Sequence, residues 1–415
     1  MRILYVHQYF GTPAGAVGTR SYEMARALVD AGHAVTMVCA SYDRSTTGLT
    51  TPFANGRREG LVEGIRVIEF ALGSSNNDPL LTRAWRFSVF ARWAMGAALR
   101  EPYDLLFATS TPLTAALPGI VGKLFRRKRF VFEVRDLWPE LPRAMGMKNP
   151  LLLGPMILLE RLAYAMADHV IALAPGIREG VAKTGFSRER ITLIPNGCDF
   201  ELFAAAIPVR PSDQFPEMIA PDDFVAVFAG AHGKANGLAA VIAAGRVLHN
   251  RGRRDIKLLL VGAGAEKPAL KQAAEGLETV RFADALPKRK IAALIRGADA
   301  GLQILANVPA FYDGTSPNKF FDYLAAGRPV VINYPGWLAE LVSEQRCGWA
   351  VPAQDPEAFA DALISAADDR KDSERRGEAA AALGTRMFAR ADLADKFVNT
   401  LELVASRRVG SKDYP

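Results

Sequence analysis

The chain predicts an α/β protein of two domains, each built as a doubly wound parallel sheet. Three observations lead there. Short apolar, β-branched runs alternate with amphipathic stretches of about 10–15 residues, the pattern of parallel strands joined by crossover helices. A length of 415 residues exceeds what one ordinary core accommodates. Between the two series, Ala204–Asp223 carries four prolines and little apolar periodicity, and so reads as a linker. The expected division is residues 1–205, residues 206–388, and a terminal helical segment 389–415.

In order, Ile3–Val6 reads as a strand, followed by a loop with Gly11, Gly15 and Gly18 and a helix from about Arg20 to Asp30. Gly32-His33 stops that helix and Val35–Cys39 is the next strand. Asp43–Gly64, polar and rich in Gly and Arg, reads as a long loop. Ile65–Phe70 is a strand and Leu80–Leu99 a helix. Leu105–Ala108 and Phe130–Val134 are buried strands flanking a helix at Pro112–Phe125. A helix at Leu151–Met166 and strands at His169–Leu173 and Ile191–Ile194 complete the first half. The second series runs strand Phe224–Phe228, helix Leu238–Arg251, strand Ile256–Val261, helix Pro268–Ala274 and strand Val280–Phe282. Helix Lys288–Gly297 and strand Ala300–Leu305 follow. Two such domains would enclose a cleft between the carboxyl ends of their sheets, where open α/β folds bind ligands.

The most informative stretch is Asp313–Asn333, DGTSPNKFFDYLAAGRPVVIN. Ser316 is a candidate N-cap and Pro317 a first helical residue; Gly327 ends the helix, and Pro329-Val-Val-Ile reads as a buried strand. At 100° per residue, Asn318, Lys319, Asp322 and Tyr323 share one arc, opposite Phe320, Phe321 and Leu324. The helix start favours a phosphate, because free amides and the dipole both attract an anion. Asp322, one turn in, is placed to accept from a ribose diol, although a solvated polar face accounts for the same spacing. Gly230-Ala-His232-Gly233-Lys234 follows a strand of the second series, and Lys234 and His232 are candidates to reach a diphosphate. Gly15 lies in the equivalent loop of the first domain, whose spacing does not fit GxGxxG.

Composition narrows the class. Three separated cysteines fit a reducing cytosol and provide neither a disulfide frame nor a zinc site. MRILYVHQYF reads as a strand rather than a signal peptide, and no run approaches the roughly 20 apolar residues of a membrane span. There is no GxxxxGK[ST], no HExxH and no DxD, and five scattered histidines lack metal-ligand spacing, so a metal-independent site is expected. Residues 1–200 hold 24 Lys+Arg against 17 Asp+Glu, whereas residues 201–415 hold 27 of each. The whole net charge of +7 therefore belongs to the first half, which is expected to face an acidic partner. In the Leu80–Leu99 helix, Trp85 and Trp93 stand beside Arg86 and Arg92; Arg126 and Arg127 lie in the basic run ending at Phe130. That pairing of aromatics and cations suits an anionic lipid surface, each cation contributing on the order of 1 kcal/mol.

IPNGCD at 194–199, FEVRDLWPE at 132–140, the first glycine loop with the helix and strand after it, and SPNKFFDYLAAGRPVV at 316–331 together resemble glycosyltransferase family 4. The resemblance runs from residue 1 to about 400, and within the family it is nearest to the subgroup that adds N-acetylfucosamine or similar amino sugars during O-antigen and capsule assembly. It implies a retaining enzyme of GT-B fold. The first domain would take the acceptor, the second the nucleotide sugar, and the last helix would cross back to the first. UDP is the expected nucleotide and a polyprenyl-diphosphate glycan the expected acceptor, at the inner face of the cytoplasmic membrane. No nucleic acid and no cofactor beyond the co-substrate are expected.

Carried over residue by residue, the resemblance places Asp322 where the family has its ribose-binding glutamate. Gly314 stands where the sugar-contacting glutamate is usual, with Asp313 beside it. Arg135 precedes Asp136 where many members have His; Asp136 would lie with Glu133 on the acceptor side. Ala231 and Asn236 replace an Arg and a Lys, leaving Lys234 as the cation of that loop. The implied chemistry is front-face attack, with the departing diphosphate helping to take the acceptor proton. Lys234, Lys319 and the amides of Gly233 and Thr315–Asn318, including Ser316 beside Pro317, are the candidates to neutralise its charge, with Arg135 as a brace. Competing readings are a sugar-nucleotide epimerase of the same fold, a non-catalytic sugar-binding protein, and a transferase with a soluble acceptor.

Overall fold

A computed structural model of the chain describes residues 1–406 apart from 16–17, 44, 75–77 and 145. The sequence-expected glycine loop therefore lies partly outside the described residues. Two compact units emerge. The first comprises Met1–Pro195, Gly314–Ser316 and the chain from Ala391 on; the second comprises Asn196–Asp313 and Pro317–Arg390.

The first unit is built on eight strands: β1 (Arg2–Val6), β2 (Ala34–Tyr42), β3 (Arg57–Val62), β4 (Ile65–Ser74), β5 (Leu105–Thr109), β6 (Arg129–Val134), β7 (His169–Ala172) and β8 (Ile191–Leu193). Their order is β3-β4-β2-β1-β5-β6-β7-β8, parallel except for β3. The order reverses at β1 and β5, so the carboxyl ends of these two strands form the unit's switch point. The second unit has six parallel strands, β9 (Phe224–Ala229), β10 (Ile256–Val261), β11 (Val280–Ala283), β12 (Ala300–Gln303), β13 (Val330–Ile332) and β14 (Gly348–Ala350). They run β11-β10-β9-β12-β13-β14, reversing at β9 and β12. Both sheets are of the expected doubly wound α/β class. Strands such as FVAVFA and IKLLLV are buried throughout because helices cover both faces, which is why they read as continuous apolar runs.

The stretch 43–64 is not all loop. Its second half forms β3, an antiparallel edge strand whose turn to β4 is Glu63-Gly64, with φ of 47° and 82°. Two consecutive positive φ values make a tight hairpin turn matched to strand twist. The consecutive charges Arg57, Arg58 and Glu59 concealed the strand from a hydropathy reading; charged residues of this kind protect an edge from further pairing. The expected linker is also partly folded: Pro211–Gln214 is a short helix with buried Pro211 and Ser212, and the Val209 amide donates to the Ala293 carbonyl.

The helix Arg390–Ser406 packs its Leu393, Phe397, Leu401 and Val404 into the first unit's core with β1, β2 and β5. Phe397 meets Phe107 edge-on at 4.9 Å. On the other side of that sheet, helix Ala116–Arg126 lies against β5 and β6, flanked by helices Leu80–Arg100 and Pro150–Met166.

Candidate active site

In the second unit, β9 ends at Gly230 beside the switch point. A side-chain carbon at Gly230 would lie 3.3 Å from the Lys319 Cδ and 3.4 Å from its Nζ. The missing side chain therefore leaves room for the lysine across the strand end. Lys319 Nζ sits over the Phe228 ring at 4.9 Å and donates to Asn236 Oδ1 at 3.3 Å. Burial lowers its pKa to about 8, against a smaller opposite effect from Asp322. A desolvated ammonium that makes no ion pair with a carboxylate among the described residues suits an incoming anion. Asn236, missed as a site residue in the sequence, donates from its amide to the Ala231 carbonyl at 2.8 Å and so holds the loop that carries Lys234. Lys234 itself is exposed in the turn Lys234–Asn236. Apart from Gly233 and its chain neighbours, none of the described residues comes within 4 Å of where a side chain there would begin, leaving open space at its backbone.

His232 does not reach out to a diphosphate. It is fully buried between Phe228 and Phe282, each ring centroid 6.2 Å away, and neither ring nitrogen finds a partner among the described residues. Burial, helped by Lys267, lowers its pKa to about 4, so it is a neutral packing residue at neutral pH. Its position below the loop follows from Gly262 (φ 153°): a side chain there would collide with the Gly230 carbonyl oxygen, so the two strand-end loops stack backbone on backbone.

The helix after β12 runs Asn318–Ala325, with Pro317 in the N-cap position and no side-chain cap. Ser316 is thus not the cap: the helix begins later than its Ser-Pro signal implies, and Gly314–Ser316 group with the first unit while Pro317 belongs to the second. Asn318 is exposed at the first turn. Tyr323 leaves the polar arc altogether, its hydroxyl donating to Val227 and Leu302 carbonyls from a fully buried ring. Gly301 on β12 leaves room for the ring, since a side-chain carbon there would lie 2.2 Å from it, and two strand carbonyls satisfy the hydroxyl. Asp322 is buried and accepts from Lys288 Nζ at 2.8 and 2.6 Å, a partner not identified from sequence. Asp313 is exposed and one of its oxygens accepts from the Trp337 amide at 2.9 Å, at the start of the helix Trp337–Glu344. Thr315 is half-buried in the first unit.

At the first unit's switch point, Glu133 on β6 is completely buried and central to a polar network. Arg20 donates to one of its oxygens through Nε at 3.0 Å and Nη2 at 2.8 Å; Thr109 donates to the other at 2.7 Å. Arg135 Nε adds a contact at 3.2 Å, and its Nη2 donates to Ser21 at 3.0 Å. Burial raises the Glu133 pKa, but Arg20 and then Arg135 outweigh it and hold the value at about 2. Glu133 is therefore a support, not an acceptor-facing group, and Arg135 makes the ion pair that its neighbouring carboxylate permits. Asp136 is half-buried, accepts from Thr111 at 3.1 Å, and has its pKa raised by burial. Beyond β1, His7, with Nδ1 unpartnered, and Gln8, with both amide atoms unpartnered among the described residues, are buried beside this network. Gly15 donates its amide to the Thr12 carbonyl at 3.0 Å.

Residues 15–197 match the family model for a glycosyl transferase 4-like domain, and residues 223–369 match that for glycosyl transferases group 1. The chain is a glycosyltransferase of GT-B type. No curated protein sequence matches it. Among solved structures, this glycosyltransferase resembles sucrose-phosphate synthase from Thermosynechococcus elongatus, with 19% identity, TM-score 0.72, and coverage of 97% of this chain and 98% of the other. HepE from Anabaena in complex with UDP gives 18% identity and TM-score 0.68, covering 97% and 100%. WaaG, a glycosyltransferase involved in lipopolysaccharide biosynthesis, gives 15% and 0.70, covering 96% and 99%.

The transferase distributes its expected lipid-facing residues unevenly. Trp85, Arg92 and Arg127 are exposed. Trp93 instead stacks on Phe70 with centroids 4.9 Å apart, and Arg86 is held by Asp78 and the Gly73 carbonyl. Arg126 donates to the Ala98 and Glu101 carbonyls at the end of the Leu80–Arg100 helix. These three face protein because two helices and a strand pack around them, which a one-helix wheel does not represent. Among the described residues, no helix is long and apolar enough to cross a membrane.

Proposed function

We propose that this glycosyltransferase is a retaining enzyme. It would move an N-acetylated amino or deoxy sugar from a UDP-linked donor to a polyprenyl-diphosphate-linked glycan. The second domain would take the donor and the first the acceptor, at the cytoplasmic face of a membrane. The observation that carries the donor half is the Lys319 ammonium, desolvated over Phe228 at the glycine end of β9. The UDP held by the structurally similar HepE supports the choice of nucleotide.

In this reading the bond from the anomeric carbon to the diphosphate oxygen breaks, and its electron pair leaves with the diphosphate. The acceptor oxygen bonds to the same face of that carbon, and its proton passes to the departing diphosphate. Lys319, Lys234 and the Gly233 amide neutralise the growing negative charge, a contribution that is large where water is excluded. Arg135 braces the sugar or the diphosphate, Asp136 serves the acceptor side, and Asp313 contacts the sugar. The test is a panel of UDP-, GDP- and dTDP-sugars assayed for slow donor hydrolysis, with the anomer of the released sugar read by NMR. Release with inverted configuration, or from none of the donors, overturns the proposal.

Two expectations arise here. Asp322→Asn should raise the donor KM by roughly 10- to 100-fold with kcat nearly unchanged, because the ribose does not alter during reaction. Unchanged UDP affinity with a lowered Tm would instead limit this carboxylate to holding Lys288. UDP affinity should also fall as pH rises. With a pKa of about 8, the protonated fraction of Lys319 drops about 10-fold between pH 7 and pH 9, and only the ammonium attracts a diphosphate. Calorimetric titration across that range should show the decline in the parent and lose it in Lys319→Met.

A further inference from the structure

The helix Pro150–Met166 is turned inside out for a water-facing helix. At 100° per residue, Leu151, Pro155, Leu158, Leu162 and Ala165 fall within about 40° of one line, and all five are exposed. Leu151 is 82% and Leu158 69% exposed. Its acid, Glu160, lies on the opposite side, where Tyr164, itself buried, donates to it at 3.3 Å. Burial raises the Glu160 pKa to about 7. A helix meant for solvent places its carboxylate outward and its leucines inward. Packing of Leu153, Ala163 and Tyr164 against the first unit enforces the reverse.

The neighbouring helices extend the same character. At the end of Ala116–Arg126, Leu124 is exposed and Phe125 is 75% exposed, next to exposed Arg127. On Leu80–Arg100, Leu81 and Trp85 are exposed in one stripe with Arg92. Cations also border the leucine stripe itself: exposed Lys148 precedes it and exposed Arg161 stands at its margin, while the helix's own carboxylate, Glu160, lies on the far side.

We propose that the outward leucine stripe of Pro150–Met166 inserts into an anionic lipid bilayer, with Leu124-Phe125 and the exposed face of Leu80–Arg100 as the flanking contacts. Apolar side chains ringed by Lys and Arg match the acyl boundary and the phosphate layer of such a surface. Pairing with a second copy fits less well, because a twofold contact would bring these cationic margins together. The inference deepens the reading that the acceptor is lipid-linked. It assigns the anchoring role to a helix whose sequence carries only one arginine, in place of the Trp-Arg pattern of the earlier helix.

The test is flotation of the full chain with phosphatidylcholine vesicles, with and without phosphatidylglycerol, for the parent and for Leu151→Glu/Leu158→Glu. The parent should float with the anionic vesicles, and the double variant should bind at least about 10-fold less. Its Tm should hold, because both side chains project into solvent. UDP affinity measured without vesicles should also be unchanged; a parent that floats but binds no UDP faults the donor reading and leaves this one standing. Three results overturn the inference. The variant floats as the parent does; the parent floats with neither vesicle; or sedimentation shows the parent dimeric and the variant monomeric, which makes the stripe an interface between copies.

Discussion

Lys319→Met is expected to lower kcat by about 100-fold or more, close to 3 kcal/mol of lost transition-state stabilisation. Methionine keeps the stem that fills the space above Gly230 and Phe228, so the loss reads the charge rather than the packing. The ammonium is desolvated, and its attraction for a diphosphate strengthens as negative charge develops on the leaving oxygen. An interaction that grows in this way acts on kcat more than on KM. Steady-state kinetics with the true donor, beside thermal melting, decide the matter. A rise in KM alone would make Lys319 a ground-state phosphate contact, and a collapse in Tm would return it to the core.

Arg20→Ala is expected to destabilise the protein by about 3–5 kcal/mol, because it leaves the fully buried Glu133 without its two-pronged partner. Arg20 also donates to the Ile194 and Pro195 carbonyls, so the same change frees the chain leaving β8. Arg135 alone is a poor replacement, reaching Glu133 at 3.2 Å through one nitrogen. Denaturant unfolding of Arg20→Ala, Glu133→Gln and the double variant forms a cycle that isolates the pair. The sign with pH follows from the depressed pKa. Glu133 falls from an ordinary 4.5 to about 2 in the folded chain, so its stabilisation is complete above the unfolded value and disappears as pH falls toward 2. Additive single effects in the cycle would refute the coupling.

Local pattern alone determined the two series of parallel strands, the position of the glycine loops at strand ends, and the helix carrying Lys319. Each depends on a period of two or about 3.6 residues and on Gly or Pro at the breaks. The hairpin strand β3 escaped because charges on an edge strand remove the apolar alternation that marks a buried one.

Partnership and direction were decided only by tertiary structure. Lys288 meets Asp322 across 34 residues and Arg20 meets Glu133 across 113, and no local period records such distances. His232 reads as a ligand-facing imidazole in a glycine loop until Phe228 and Phe282 close on it. For Pro150–Met166 the sequence contains the leucines and the glutamate, but a helical period leaves open which face turns inward. The surrounding sheet and the Ala116–Arg126 helix settle that orientation: they bury Leu153, Ala163 and Tyr164, and the leucine stripe is left facing outward.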